Sequence, residues 1–181
     1  SAFYKPILIL DFELHLTISA GATVLPRDSN SVSDAMRHID LASNAAKKLG
    51  SGRAAFFTAD MDEVVKRETD LGQGLRMAIA NREFEVHYQP QYHIESETIV
   101  GFEALLRWKH PQLGYVSPAI FVPIAEKGGT IGAIGDWIME ESCRQAKAWL
   151  DAGETRRTVA VNVSPAQMLQ SGFVRKVGQC L

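Results

Sequence analysis

The amino-acid sequence predicts an α/β protein whose second half begins a repeating strand and helix layout without completing it. Three observations carry this. From Phe84 onward, short runs rich in β-branched and aromatic residues give way to longer stretches of helical apolar spacing, in the order strand, strand, helix, strand, helix. A parallel sheet or barrel is the natural closure of that order. About three strands are countable in it, where a complete (β/α) barrel has eight strands and roughly 250 residues. The 181 residues are 46% hydrophobic, 22% charged and 8% aromatic, the composition of a soluble globular chain with enough length for a real core.

The elements follow in chain order. Two apolar runs between Ile7 and Ala22 flank Asp11, and Glu13 to Ser19 alternates polar with apolar as a half-buried strand does, so a hairpin is predicted. Pro26 to Ser31 is a polar turn cluster. Ser33 or Asp34 is placed to cap a helix with apolar positions Met36, Ile39, Ala42 and Ala46, ending at Gly50. Ser51 to Arg53 reads as loop and Ala54 to Phe57 as a short strand. Asp60 to Ala80 carries Val64, Leu71, Leu75, Met77 and Ile79 at helical spacing, weakened by Gly72 and Gly74. After Asn81, strands are predicted at Glu85–Gln89 and Ile99–Arg107, followed by a turn-rich loop from Trp108 to Gly114. A short helix opens at Ser117-Pro118 and is broken by Gly128-Gly129. A longer helix marked by Ile134, Trp137, Ile138, Cys143, Ala146 and Trp149 ends near Gly153. Thr158–Val163 is a compact strand, and Phe173, Val174 and Val177 mark a final helix.

Within this layout, Glu103 lies in an otherwise apolar strand, where a carboxylate is costly to bury unless paired, hydrogen-bonded or bound to a cation. It either faces solvent at an edge or belongs to a site. Asn162 sits among β-branched neighbours near the carboxyl end of its strand; alone it reads as a turn residue. Together the two could present oxygen to a hard cation such as Mg²⁺ or Mn²⁺, because ligands of parallel β/α folds gather at the carboxyl ends of successive strands. Arg107 is then either a forked phosphate donor or a surface ion pair, and Gln89 either contacts a base or ribose or is simply solvated.

Other chemistries are excluded. No G-x-S-x-G, Walker loop or H-E-x-x-H is present, the five histidines show no metal spacing, and Gly129 to Gly135 reads as close helix packing rather than a dinucleotide fingerprint. The tryptophans are expected in the core or as pocket walls. Cys143 and Cys180 form no disulfide framework, which fits a cytoplasmic setting. A net charge of -2 gives no global attraction to a nucleic acid polymer, and no apolar run reaches the ~20 residues of a membrane span. The start at Ser1 rather than Met is expected of a piece of a longer protein, in which any membrane tether would lie elsewhere.

Six blocks then carry a family resemblance: Tyr88-Gln-Pro-Gln91, Glu103-Ala-Leu-Leu-Arg-Trp108, His110-Pro-Gln-Leu-Gly114, Phe121-Val-Pro-Ile-Ala-Glu126, Ile134-Gly-Asp-Trp137 and Val161-Asn-Val-Ser164. In this order they resemble the signature of EAL phosphodiesterases over about residues 70 to 181. The resemblance implies a partial TIM-like (β/α) barrel whose full form cleaves cyclic-di-GMP to linear pGpG with divalent metal. It makes Glu103 and Asn162 metal ligands, Arg107 a contact to ligand phosphate, and Gln89 and Leu105 walls of the nucleotide pocket. The family's remaining acidic ligands and its lysine find no match up to Leu181, so these residues alone are expected to be inactive. Residues 1 to 59 resemble the C-terminal part of a GGDEF cyclase domain, through Leu14 to Gly21, Pro26, Asp40, Ala42, Ala46-Lys47 and Gly50. That implies an α+β remnant without the signature turn, and Asn44 departs from the usual Tyr. Residues 60–80 would be a linker helix and residues 81–181 the N-terminal part of the EAL domain. A non-catalytic cyclic-di-GMP-binding module, or a homodimer formed through the open sheet edge, is the alternative expectation.

Overall fold

The computed structural model describes residues 6–10, 12–50, 52–154 and 157–180. Ser1, Asp11, Ser51 and Leu181, named above, lie outside the described residues. The chain divides into two compact units, Ser1–Arg67 and Glu68–Leu181.

The first unit opens with an antiparallel hairpin of β1 (Ile7–Ile9) and β2 (Phe12–Leu14). The alternation expected to extend to Ser19 ends at Leu14. Leu16 and Ile18 are exposed, since an alternating segment becomes a strand only where a neighbour pairs with it. β3 (Ala20–Ala22) instead pairs in parallel with β4 (Ala54–Phe56), and α1 (Val32–Lys48) packs across both. The helix starts earlier than Ser33: Ser31 is the cap, its hydroxyl oxygen accepting from the Asp34 amide at 3.0 Å. Asp34 is the third helical residue of that same turn and caps nothing. The apolar stripe also begins elsewhere, on Ala35 and His38, with Met36 exposed. The His38 ring lies flat on Phe57 at 3.7 Å, which puts it, rather than Met36, on the inner face. Gly21 allows the close approach, because a side chain there would strike the backbone of α1 at Ala42, 2.9 Å away.

α2 (Ala59–Ala78) follows; its residues from Glu68 belong to the second unit. Leu71, Leu75 and Ala78 are buried, whereas Met77 and Val64 are exposed. Gly74 has a packing reason: a Cβ there would stand 3.2 Å from the Trp108 ring. β5 (Phe84–His93) and β6 (Thr98–His110) form a long antiparallel hairpin with a register shift at Gln91/Tyr92. The expected loop after Trp108 is partly strand. β6 continues through His110, the chain turns, and β7 (Gly114–Val116) pairs back onto Trp108–His110, with Gly114 at φ 67° making the reversal possible.

α3 (Pro118–Lys127) and α4 (Ile131–Asp151) are separated by Gly128 and Gly129 as expected. β8 (Thr158–Val161) then returns parallel to Gly101–Ala104 of β6, followed by α5 (Pro165–Met168) and α6 (Phe173–Cys180). The sheet is therefore mixed rather than parallel, with four strands and no closed barrel among the described residues. Trp108 is fully buried at its centre, 5.7 Å from Phe121 and 6.2 Å from Phe84 by ring centroids, and its indole Nε1 donates to Glu83 at 2.9 Å. Leu71, Leu75, Ile131 and Ile134 complete this core. Trp149 packs on Phe102 and Tyr88, as a wall rather than a centre.

Candidate functional site

Side chains alternate across a strand, so the packing of one face fixes the other. In β6, Phe102, Ala104 and Trp108 turn toward the helices. Glu103, Leu105 and Arg107 must then share the opposite face. The antiparallel register places Gln89 opposite Glu103, His87 opposite Leu105 and Glu85 opposite Arg107, all on this same face. Gln89 and His87 are exposed on it, and Glu85, Glu103, Leu105 and Arg107 are half-buried.

Asn162 follows β8 directly, and the parallel register sets Ala160 beside Glu103, so Asn162 stands just past it. Its Nδ2 donates to Glu103 Oε1 at 2.6 Å. The two residues are 59 positions apart in sequence and meet only because β8 docks on β6. Glu103 is half-buried on a strand paired on both sides, which removes the solvent-edge reading.

The segment after Asn162 is held firmly. Ser164 caps α5, its hydroxyl oxygen accepting from the Ala166 amide at 3.2 Å and its backbone N–H donating to Gln167 Oε1 at 3.0 Å. The Ser164 hydroxyl also donates to Glu126 of α3. Glu126 and Ser164 stand in the quoted motifs and Gln167 in none; the structure gives all three a task, fixing the backbone that presents Asn162. Arg107 spends one N–H on the Leu106 carbonyl at 3.0 Å and has no further partner among the described residues, which leaves most of its fork available.

A carboxylate and an amide oxygen side by side are donors of the kind that hard divalent cations take. They fit in kind but supply two ligands, and among the described residues no group of three or more His, Cys, Asp or Glu is placed to hold a metal. No helix of the described residues is long and apolar enough to cross a membrane.

Comparison with known proteins bears on the family. The family model described as EAL domain matches residues 73–181. The bifunctional diguanylate cyclase/cyclic di-GMP phosphodiesterase MucR of Pseudomonas aeruginosa is 36% identical over 177 residues, covering 98% of this chain and 26% of its own length. The cyclic di-GMP phosphodiesterase NbdA of the same organism is 29% identical over 177 residues, 98% of this chain and 23% of that protein. This chain thus spans about a quarter of the length of these curated relatives. The solved structure of the PaMucR phosphodiesterase in complex with c-di-GMP superposes with a TM-score of 0.60 at 43% identity, covering 62% of this chain and 45% of that one. With the family model matching more than half of its residues, the chain belongs to the EAL domain family.

Proposed function

We propose that this chain is part of a cyclic-di-GMP signalling protein and contributes one wall of a metal-dependent phosphodiesterase site that converts cyclic-di-GMP to pGpG. The observation that carries the reading is the Glu103 to Asn162 contact on a sheet face shared with Gln89, Leu105 and Arg107. Glu103 and Asn162 would hold Mg²⁺ or Mn²⁺. The cation, when bound, supplies Lewis-acid chemistry: it activates water and draws charge from phosphoryl oxygens. Arg107 would take a phosphate with its fork, while Gln89 and Leu105 line the nucleotide. Asn162 spends one N–H on Glu103, and among the described residues its carbonyl oxygen has no partner, which leaves it for the cation.

Residues 1–59 are proposed as the C-terminal part of a GGDEF-like domain, residues 60–80 as a linker helix and residues 81–181 as the N-terminal part of the EAL domain, in a cytoplasmic setting. Two ligands do not make a two-metal site, and this favours a second reading for the 181 residues taken alone: they bind cyclic-di-GMP without cleaving it.

The test is calorimetric titration of cyclic-di-GMP into the purified chain with and without Mn²⁺, followed by chromatography for pGpG. Binding without product is expected. Absence of binding overturns the placement of the site, and product overturns the ligand count.

A further inference from the structure

The open face continues past Arg107. β5 and β7 flank β6 on opposite sides, and the register sets Glu85 of β5 opposite Arg107 and Tyr115 of β7 opposite Lys109. Tyr115 nevertheless donates its hydroxyl to Glu85 Oε2 at 2.7 Å, so the phenol reaches over the middle strand. His87 Nε2 lies 3.4 Å from the same oxygen, and the His87 and Tyr115 rings meet edge to face with centroids 6.2 Å apart. The result is a low wall across one end of the face, with a carboxylate beneath two exposed rings.

Three features of this wall point to a ligand. Glu85 Oε1 has no partner among the described residues, although Oε2 is held. The hydrogen bond from Tyr115, the largest contribution, keeps the Glu85 carboxyl below the usual carboxylate range, so it is an anionic acceptor at neutral pH. Tyr115 is 57% exposed, much for an aromatic ring whose hydroxyl is already engaged, and a ring so placed is a stacking surface for a flat base.

We infer that Glu85, supported by Tyr115 and His87, reads the guanine base of the cyclic dinucleotide whose phosphate Arg107 takes; this rests on the proposed function above. Directly opposed residues of neighbouring strands stand roughly 5 Å apart, close enough for one nucleotide to touch both through its phosphate and its base. Guanine presents N1–H and the N2 amine side by side, two donors that one carboxylate accepts together. Adenine presents an acceptor at N1, which the carboxylate repels. Hypoxanthine keeps N1–H and lacks the amine. Glu85 is thus a specificity-determining residue, and Tyr115 and His87 position it and carry the base.

The experiment is titration of cyclic-di-GMP, cyclic-di-IMP and cyclic-di-AMP into the wild-type chain, Glu85→Gln and Tyr115→Ala, each checked for native circular dichroism. The wild-type chain is expected to prefer the guanine ligand over the adenine ligand by roughly tenfold or more, with the hypoxanthine ligand between. Glu85→Gln collapses this preference and raises cyclic-di-AMP affinity by relieving the repulsion of adenine N1, whereas Tyr115→Ala weakens all three and narrows the preference, because Glu85 loses the hydroxyl that holds it. A wild-type chain without base preference, or a preference that survives in Glu85→Gln, overturns the inference and leaves the proposed function standing. A wild-type chain that binds none of the three overturns both. The hypoxanthine comparison needs no variant, so a wild-type chain that binds cyclic-di-GMP and cyclic-di-IMP alike overturns the inference even where a substitution unfolds the chain.

Discussion

Two glycines of α4 that look equivalent in sequence are expected to respond oppositely to alanine. Gly135 faces the side chain of Gln167, which is 5% exposed and tied through its Oε1 to the Ser164 N–H at 3.0 Å. A Cβ at Gly135 would run into that amide, and the amide has nowhere to go without giving up its hydrogen bond. Gly132 faces Gln170 in the same way, but Gln170 is exposed and can swing into solvent. Alanine in place of glycine gains about 1 kcal/mol of helix propensity at either position. At Gly135 that gain is opposed by about 1–3 kcal/mol of overpacking and about 1 kcal/mol for the disturbed cap of α5. Gly135→Ala should therefore cost about 1–3 kcal/mol, and Gly132→Ala should be neutral or stabilising by up to about 1 kcal/mol. With a urea slope of about 2 kcal/mol per molar, the two midpoints should differ by about 1 M. Tryptophan fluorescence is a suitable readout because Trp108, Trp137 and Trp149 all belong to the second unit. Equal midpoints, or Gly135→Ala above Gly132→Ala, would refute the claim that Gln167 is locked in place.

Further outcomes follow from the same contacts. Glu103→Gln removes the anionic ligand proposed for the cation and should weaken Mn²⁺ binding by roughly tenfold, read by calorimetry, with the fold intact by circular dichroism. Trp108→Phe leaves Glu83 without its indole donor and a void in the core, and should lower stability by about 1–3 kcal/mol in urea unfolding. Asp28 is held at about 2, first by its hydrogen bond from Arg27 and then by the Val24 amide. Its folded value lies below its ordinary one, so its contribution is present above about pH 4 and lost as pH falls through about 2. Asp28→Asn should flatten stability against pH across that window; an unchanged slope would place the acid sensitivity elsewhere.

Much of the second unit could be read before folding because its strands and helices announce themselves by different periods, and because Glu103 and Asn162 are polar residues in apolar runs that need a reason. What stayed hidden depends on neighbours. β7 reads as loop since Pro111 to Gly114 is turn chemistry, and only the reach of β6 to His110 gives Gly114–Val116 a strand to pair with. The stretch from Glu13 to Ser19 shows the converse: its alternation is clear, but among the described residues only Phe12–Leu14 of this region pairs with β1. The sequence offers Ser33 or Asp34 as the cap of α1, and only the folded chain shows that Ser31 is the residue whose hydroxyl meets a first-turn amide, that of Asp34. Glu85 and Tyr115 had a weaker signal: Glu85, His87 and Gln89 fall on alternate positions of one strand, so a role for Gln89 already asks what its two neighbours on that face do.

The parallel pairing of β8 with β6 also has a meaning in time. The β5 and β6 hairpin closes over a short turn, a local event that costs little chain entropy, whereas Glu103 and Asn162 must be brought together across 59 residues that include α3 and α4. The hairpin can form before the helices have docked, but Asn162 reaches Glu103 only after they have. In a refolding experiment, secondary structure should therefore recover first and Mn²⁺ uptake last, which would make the Glu103 and Asn162 pair, proposed to hold the metal, a reporter for completion of the second unit.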